Sequence, residues 1–197
     1  MIRLSLLLCA LAGPVLAQDD IRPPDAVRLA EFDAAAGAAL LQAMAAGGRG
    51  DVDLLQEVLS GVPLAPIATT LPGDWACRTL KLGKTTPLTV YAPFACTITA
   101  DGAGFRIDKN TGSQQLTGYI SLDEHGMILT GVGHVADTPP PAYADLPDDF
   151  VSDGTVWPII GRVEQTAPDR VRILMPRPAL ESDFDILSLT RDAAPEN

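Results

Sequence analysis

The chain has 197 residues, of which 47% are hydrophobic and only 5% aromatic, enough for one domain with a largely aliphatic core. Its formal charge of −11 argues against nucleic acid, anionic lipid and polyanionic glycans as partners, because those surfaces are held by Lys and Arg. After the N-terminus no segment approaches the ~20 apolar residues of a membrane-crossing helix, so no membrane span is expected.

Met1 to Ala17 reads as a signal peptide. Arg3 supplies the positive start, Leu4 to Leu16 the apolar run, and Ala17 the small residue at the cut. The expected location is periplasmic or secreted. Cys9 falls inside this segment, and Leu8 before it does not suit lipidation. Cys77 and Cys96 then remain, and an even pair in an exported chain favours a disulfide over two buried thiols. Closing a loop of ~20 residues stabilises by about 3 kcal/mol in the chain-entropy model.

Residues 18–62 predict a helical hairpin. After Pro23-Pro24, Asp25 is expected to cap a helix over Ala26 to Ala46, with Val27, Ala30, Ala34, Ala38, Leu41 and Ala45 as its apolar face. Gly37 marks a place of close packing, and Gly47-Gly48 ends the helix. Asp51 is expected to cap a second helix to Ser60, with Val52, Leu55 and Leu59 as its stripe, closed by Gly61.

From residue 63 to 197 the pattern changes to alternation, richer in Thr and Val and punctuated by Gly, Pro and Asp. Strands are expected near 74–82, 88–99, 104–108, 115–122, 127–136, 155–165, 170–175 and 184–191. Between Asp137 and Asp153 lies a long Pro-rich acidic loop, either a functional loop or a tether. The fold class is α+β: a helical hairpin followed by a mainly antiparallel meander of about eight strands closing into a small β-barrel, which removes exposed edges. An open sheet covered by the helices is the competing architecture.

In the first hairpin Trp75, Cys77 and Thr79 share a face, as do Phe94, Cys96 and Ile98 on the second strand. Leu80 and Leu82 are out of phase with the first set, which predicts a bulge or bend. Pro93 suits a bulge or an edge. Gly73-Asp74-Trp75 resembles the Gly-x-Trp of lipocalins and other calycins, and loosely that of the bacterial metalloprotease-inhibitor barrels. That resemblance implies an arginine packed over the tryptophan, and Arg191 stands at a suitable place to close the barrel on Trp75. The remaining lipocalin motifs are not evident. A closer resemblance covers most of the chain. Trp75-Ala76-Cys77-Arg78-Thr79, Lys81-Leu82-Gly83 and Tyr91-Ala92-Pro93-Phe94-Ala95-Cys96, after the helical segment ending Asp51 to Gly61, resemble a family of exported proteobacterial proteins known as a domain of unknown function. The resemblance implies the fold and the compartment and brings no activity.

Chemistry-bearing clusters are few. His125 falls in a turn and His134 in a strand after Gly131-Val132-Gly133. Neither has the ligand spacing of a metal site, and no nucleophile elbow or phosphate loop occurs. No cofactor and no catalytic residue is assigned. Asp183 and Asp185, expected on one strand face, and Asp148 and Asp149 read as solvated surface. Arg49-Gly50-Asp51 is accounted for as linker and cap. The chain has only three lysines, two of which, Lys81 and Lys84, lie with Arg78 on the first hairpin. Arg78 and Lys81 with Tyr91 are the candidate contact surface, suited to an anionic group. These features favour a non-enzymatic interaction module engaging a protein partner in the cell envelope. The alternatives are a carrier of small apolar ligands of lipocalin-like type, or an inhibitor of an envelope protease or lytic enzyme.

Overall fold

Helix formation starts at Pro23, where a missing amide costs nothing because the first amides of a helix are unpaired anyway. In the computed structural model, which describes residues 21–65, 70–123 and 126–191, α1 runs Pro23–Ala30, α2 Phe32–Ala46 and α3 Arg49–Leu59. The expected signal peptide, 1–17, and His125 lie outside the described residues. The one alanine-rich helix expected to Ala46 is two helices, broken at Glu31. Nor do Asp25 and Asp51 cap. Arg22 and Gly48 hold those positions, and both aspartates sit in the first turn, where the helix dipole favours negative charge.

The strands are β1 Gly73–Leu82, β2 Leu88–Val90, β3 Phe94–Asp101, β4 Gly104–Lys109, β5 Gln114–Asp123, β6 Gly126–Val135, β7 Val156–Ala167, β8 Arg170–Pro176 and β9 Phe184–Thr190. Each pairs antiparallel with the next from β3 onward, and β9 returns to β1 from Ala76↔Thr190 to Leu82↔Phe184. Eight strands therefore form a closed barrel, and β2 is an extra strand on the far half of β1. β2 and β3 share the expected 88–99 strand, interrupted over 91–93, where Pro93 has no amide to donate. A Cys77–Cys96 disulfide, with Cα atoms 5.8 Å apart, ties β1 to β3.

Two apolar layers share the barrel wall. Trp75, Cys77, Ile98, Ile107, Leu129, Ile173, Leu187 and Leu189 point into the barrel and fill most of it. On the outside of β1, β8 and β9, Leu80, Leu82, Leu174, Phe184 and Ile186 pack under Phe32, Ala35, Ala39, Ala43 and Leu55 of the helices. This second layer accounts for the phase change at Leu80 without a bulge, and the β1–β9 ladder runs through it unbroken. The shift in register falls instead between Gln165 and Ala167, where β7 meets β8. The buried face of α2 is Phe32, Ala35, Ala39 and Ala43, so the expected face through Ala34, Ala38, Leu41 and Ala45 is the exposed one, with Leu41 74% accessible. Gly37 faces open space, with nothing within 4 Å of an added Cβ. Alanines at the contact let the helix backbone approach the sheet closely, and the Phe32 ring meets Phe184 edge-on at 5.4 Å.

The Pro-rich loop is anchored to the outer wall. Its 3-10 turn, Tyr143–Asp145, places Tyr143 and Leu146 against Val132 of β6. The Tyr143 hydroxyl donates to Asp25 Oδ2 at 2.7 Å, and Arg22 Nε donates to the Leu146 carbonyl at 3.1 Å. Burial and the Asp25 carboxylate push the Tyr143 hydroxyl well above the ordinary phenol range. This lock joins the start of α1 to the loop and, through Arg28, to the barrel rim.

Candidate functional site: the open end of the barrel

The barrel is stopped at one end and hollow at the other. At the stopped end the Arg191 guanidinium lies 4.1 Å from the Trp75 ring centroid. Its fork donates to the carbonyls of Thr70 at 2.7 Å, Pro72 at 3.0 Å and Pro168 at 2.8 Å, and the Trp75 indole donates to the Leu71 carbonyl at 2.9 Å. One planar cation thus stacks on the ring and ties the end of β9 to two other segments, the one before β1 and the one after β7, which a lysine could not do.

At the other end a cavity of about 310 Å³ opens among the ends of β1, β3, β4, β5, β7, β8 and β9. Its apolar wall includes Tyr91, Phe94, Leu116, Trp157, Ile159 and Met175. Trp157 lies flat on β6 because its neighbour is Gly133, where a Cβ would meet the indole nitrogen at 2.1 Å. The cross-strand glycines Gly118 and Gly131 do not make the hollow. Leu129 and Leu116 already occupy the space beside them.

The polar part of the wall is ionic. Lys81, 7% exposed, points inward from β1 and donates to Glu181 Oε2 at 2.5 Å and Gln114 Oε1 at 3.1 Å. Lys109, 6% exposed, points inward from β4 and donates to the carbonyls of Thr111, at 2.8 Å, and Gln114, with the Phe94 ring centroid 4.4 Å away. Among the described residues Lys109 has no carboxylate partner, and burial lowers its pKa. Asp185 of β9 faces the same cavity and accepts from Ser182 Oγ at 2.5 Å. Removal from bulk water pushes its carboxyl up to about 6, against the opposing pull of Ser182 and Lys81. Arg28 reaches the rim from α1, donating to Asp25 at 2.7 Å and to the carbonyls of Pro158 and Pro176.

Lys81 and Tyr91 from the expected contact surface come together here, the ammonium 5.8 Å from the Tyr91 ring centroid. Arg78 does not join them, because an even-numbered β1 residue points out of the barrel. It lines a second hollow of about 190 Å³ between the barrel wall and α3, beside Glu57, Arg170 and Arg172. There Arg172 pairs with Glu164 at 2.6 Å and donates to the Leu59 and Ser60 carbonyls, closing the C-terminus of α3. His134 points outward from β6, its Nδ1 3.2 Å from the Val135 carbonyl oxygen. Asp185 is no solvated surface residue, and it parts from Asp183, which accepts from Gln42 at 3.3 Å on the outer side. Lys109, Gln114 and Trp157 escaped the sequence reading, which took Asp185 for solvated surface. Strand parity would have found three of these four: Lys109 shares the face of Ile107, Asp185 that of Leu187, and Trp157 that of Ile159. No group of three His, Cys, Asp or Glu residues is placed to hold a metal ion among the described residues.

Residues 18–189 match the family model described as "Domain of unknown function (DUF4893)". The chain belongs to this family. No curated protein and no solved structure matches the chain. The closed barrel with its ionic open end is therefore a structural description of a DUF4893 domain, whose matched residues take in the helical preface and the strands up to Leu189 of β9.

Proposed function

We propose that this DUF4893 protein is an exported binder of a small amphiphilic molecule, held in the open end of the barrel. The observation that carries this is the cavity itself. At about 310 Å³ it is large enough for a small ligand, and its wall is half apolar, around Phe94, Trp157 and Met175, and half polar, around Lys81, Lys109 and Asp185, which suits an amphiphile. A filled barrel would have no use for Lys81, Lys109 and Asp185 on its inner face, since each charge taken from water costs several kcal/mol before pairing. Export rests on the signal-like segment and is supported by the disulfide, which persists in oxidising compartments. Native mass spectrometry tests the proposal. The full reading frame is expressed in a bacterial host and the protein purified without detergent. The expected result is a non-covalent adduct that disappears when the inward Ile159 is replaced by Trp to fill the cavity. A clean apo mass that stays clean after incubation with lipid extract would reject it.

A protein-binding module is the second reading. It is favoured by Leu41 and Met44, 74% and 50% accessible on the outer side of α2, where a partner helix or strand could cover them.

A further inference from the structure

The ion pair at the cavity mouth combines two unlike partners. Lys81 is 7% exposed and belongs to a strand hydrogen-bonded on both sides, to β2 and β9. Glu181 has a side chain 52% exposed and belongs to the loop between β8 and β9. That loop adopts left-handed backbone at two residues other than glycine, Arg177 with φ 46° and Glu181 with φ 62°. Such backbone is strained at a residue with a Cβ. The buried cation is therefore fixed, while its carboxylate partner is held by a strained, solvent-facing loop. An exposed carboxylate gives up little on leaving its partner for water. The cation cannot leave, and a buried ammonium without a counter-charge is costly.

Resting on the small-ligand proposal above, we infer that the ligand carries a carboxylate head and an apolar body, that the head binds Lys81, and that Glu181 occupies the head's place until the ligand displaces it. The exchange is one carboxylate for another, so the charge balance among Lys81, Lys109, Arg28 and Asp185 does not change. Gln114 stays on Lys81 through its carbonyl oxygen, 3.1 Å away. Beyond the head, the body would run along Trp157, Phe94 and Met175. Lys109 keeps its two carbonyl acceptors and takes no part in the exchange.

The probes are dodecanoate and dodecanol below their aggregation concentrations, titrated into the full-length oxidised protein and followed by Trp157 fluorescence. Wild type is expected to bind dodecanoate about tenfold more tightly than dodecanol, the margin of one charge-assisted hydrogen bond. Lys81→Met should bring dodecanoate to the affinity of dodecanol and leave dodecanol unchanged. Glu181→Gln, at a half-exposed site that does not threaten folding, should tighten dodecanoate several-fold, on the order of 3–10, because the competitor is gone. Weaker dodecanoate binding by Glu181→Gln, or a preference for the acid that survives Lys81→Met, overturns the head-group assignment. Equal binding of both probes by wild type overturns it too and leaves the cavity proposal standing. Binding of neither probe, in wild type or Glu181→Gln, overturns both.

Discussion

The two ends of the barrel solve the same problem differently. Each places cations among aromatic rings within a few ångströms of apolar core. At the stopped end Arg191 spends its donors on three backbone carbonyls and its face on Trp75, and nothing there can be exchanged. At the open end Lys81 is held by one half-exposed loop carboxylate and one amide, with Asp185 across the β1–β9 ladder, beside a hollow of about 310 Å³. Partners fixed in the backbone make a plug, whereas partners on side chains and loops make a site. The strands are the same, so the difference lies in what satisfies the charge.

The largest effect that separates the ends is truncation of their tryptophans. Trp75→Ala should cost roughly 3–5 kcal/mol, because packed neighbours cannot fill the void. Trp157→Ala should cost about half as much, since one face of its ring already borders a cavity and forfeits fewer contacts. Chemical denaturation of both variants measures the contrast, and equal losses would abolish it. Next comes the disulfide beside the plug. Replacing Cys77 and Cys96 by serine should lower stability by about 3 kcal/mol, from the entropy of the 19-residue separation.

Asp185 sharpens the comparison through pH. Its carboxyl titrates near 6 in the folded protein, above its ordinary value of 3.8. The folded state therefore binds more protons between those values. Its contribution favours folding at the acid end and falls as pH rises from about 4 to 6, by roughly 2–3 kcal/mol. Asp185→Asn should remove that dependence, so that the variant gains on wild type by this amount between pH 4 and 7. A constant difference across the range would place Asp185 in ordinary solvent. The smallest effect is at the cations. Arg191→Lys should cost about 1 kcal/mol, losing the fork and the stacking. Lys81→Met should be close to neutral in stability, because the carboxylate it leaves without a partner, Glu181, is half-exposed and returns to water.

Much of the fold was legible before the structure. Alternation located the β1 face through Trp75 and Cys77, and the even cysteine pair left after the expected signal segment located the disulfide. The closed meander followed from many short strands with tight turns and no helices between them. Two features were not legible, for the same reason. In α2 nearly every residue is alanine, so the pattern has no phase, and Ala35 and Ala39 cannot be told from Ala34 and Ala38 until Phe32 is seated on Phe184. In β1 Leu80, Lys81 and Leu82 are all buried, and charge grouped Lys81 with Arg78 on a contact surface although alternation from Trp75, Cys77 and Thr79 runs through it. Only the helices packed over the outer wall explain why Leu80 and Leu82 face outward and the lysine inward.

Propensity, two-residue alternation and cysteine chemistry are local properties, and from them followed the order of helices before strands, the antiparallel meander and the covalent clip, but not the break at Glu31 or the split of β2 from β3. The tertiary structure decided which face of each element is covered, where the hollow lies and which charges share it. Those depend on Lys81, Lys109, Glu181 and Asp185, up to 104 positions apart in sequence, meeting at one rim. No periodicity within a segment encodes such a meeting, because it follows from closing the sheet on itself.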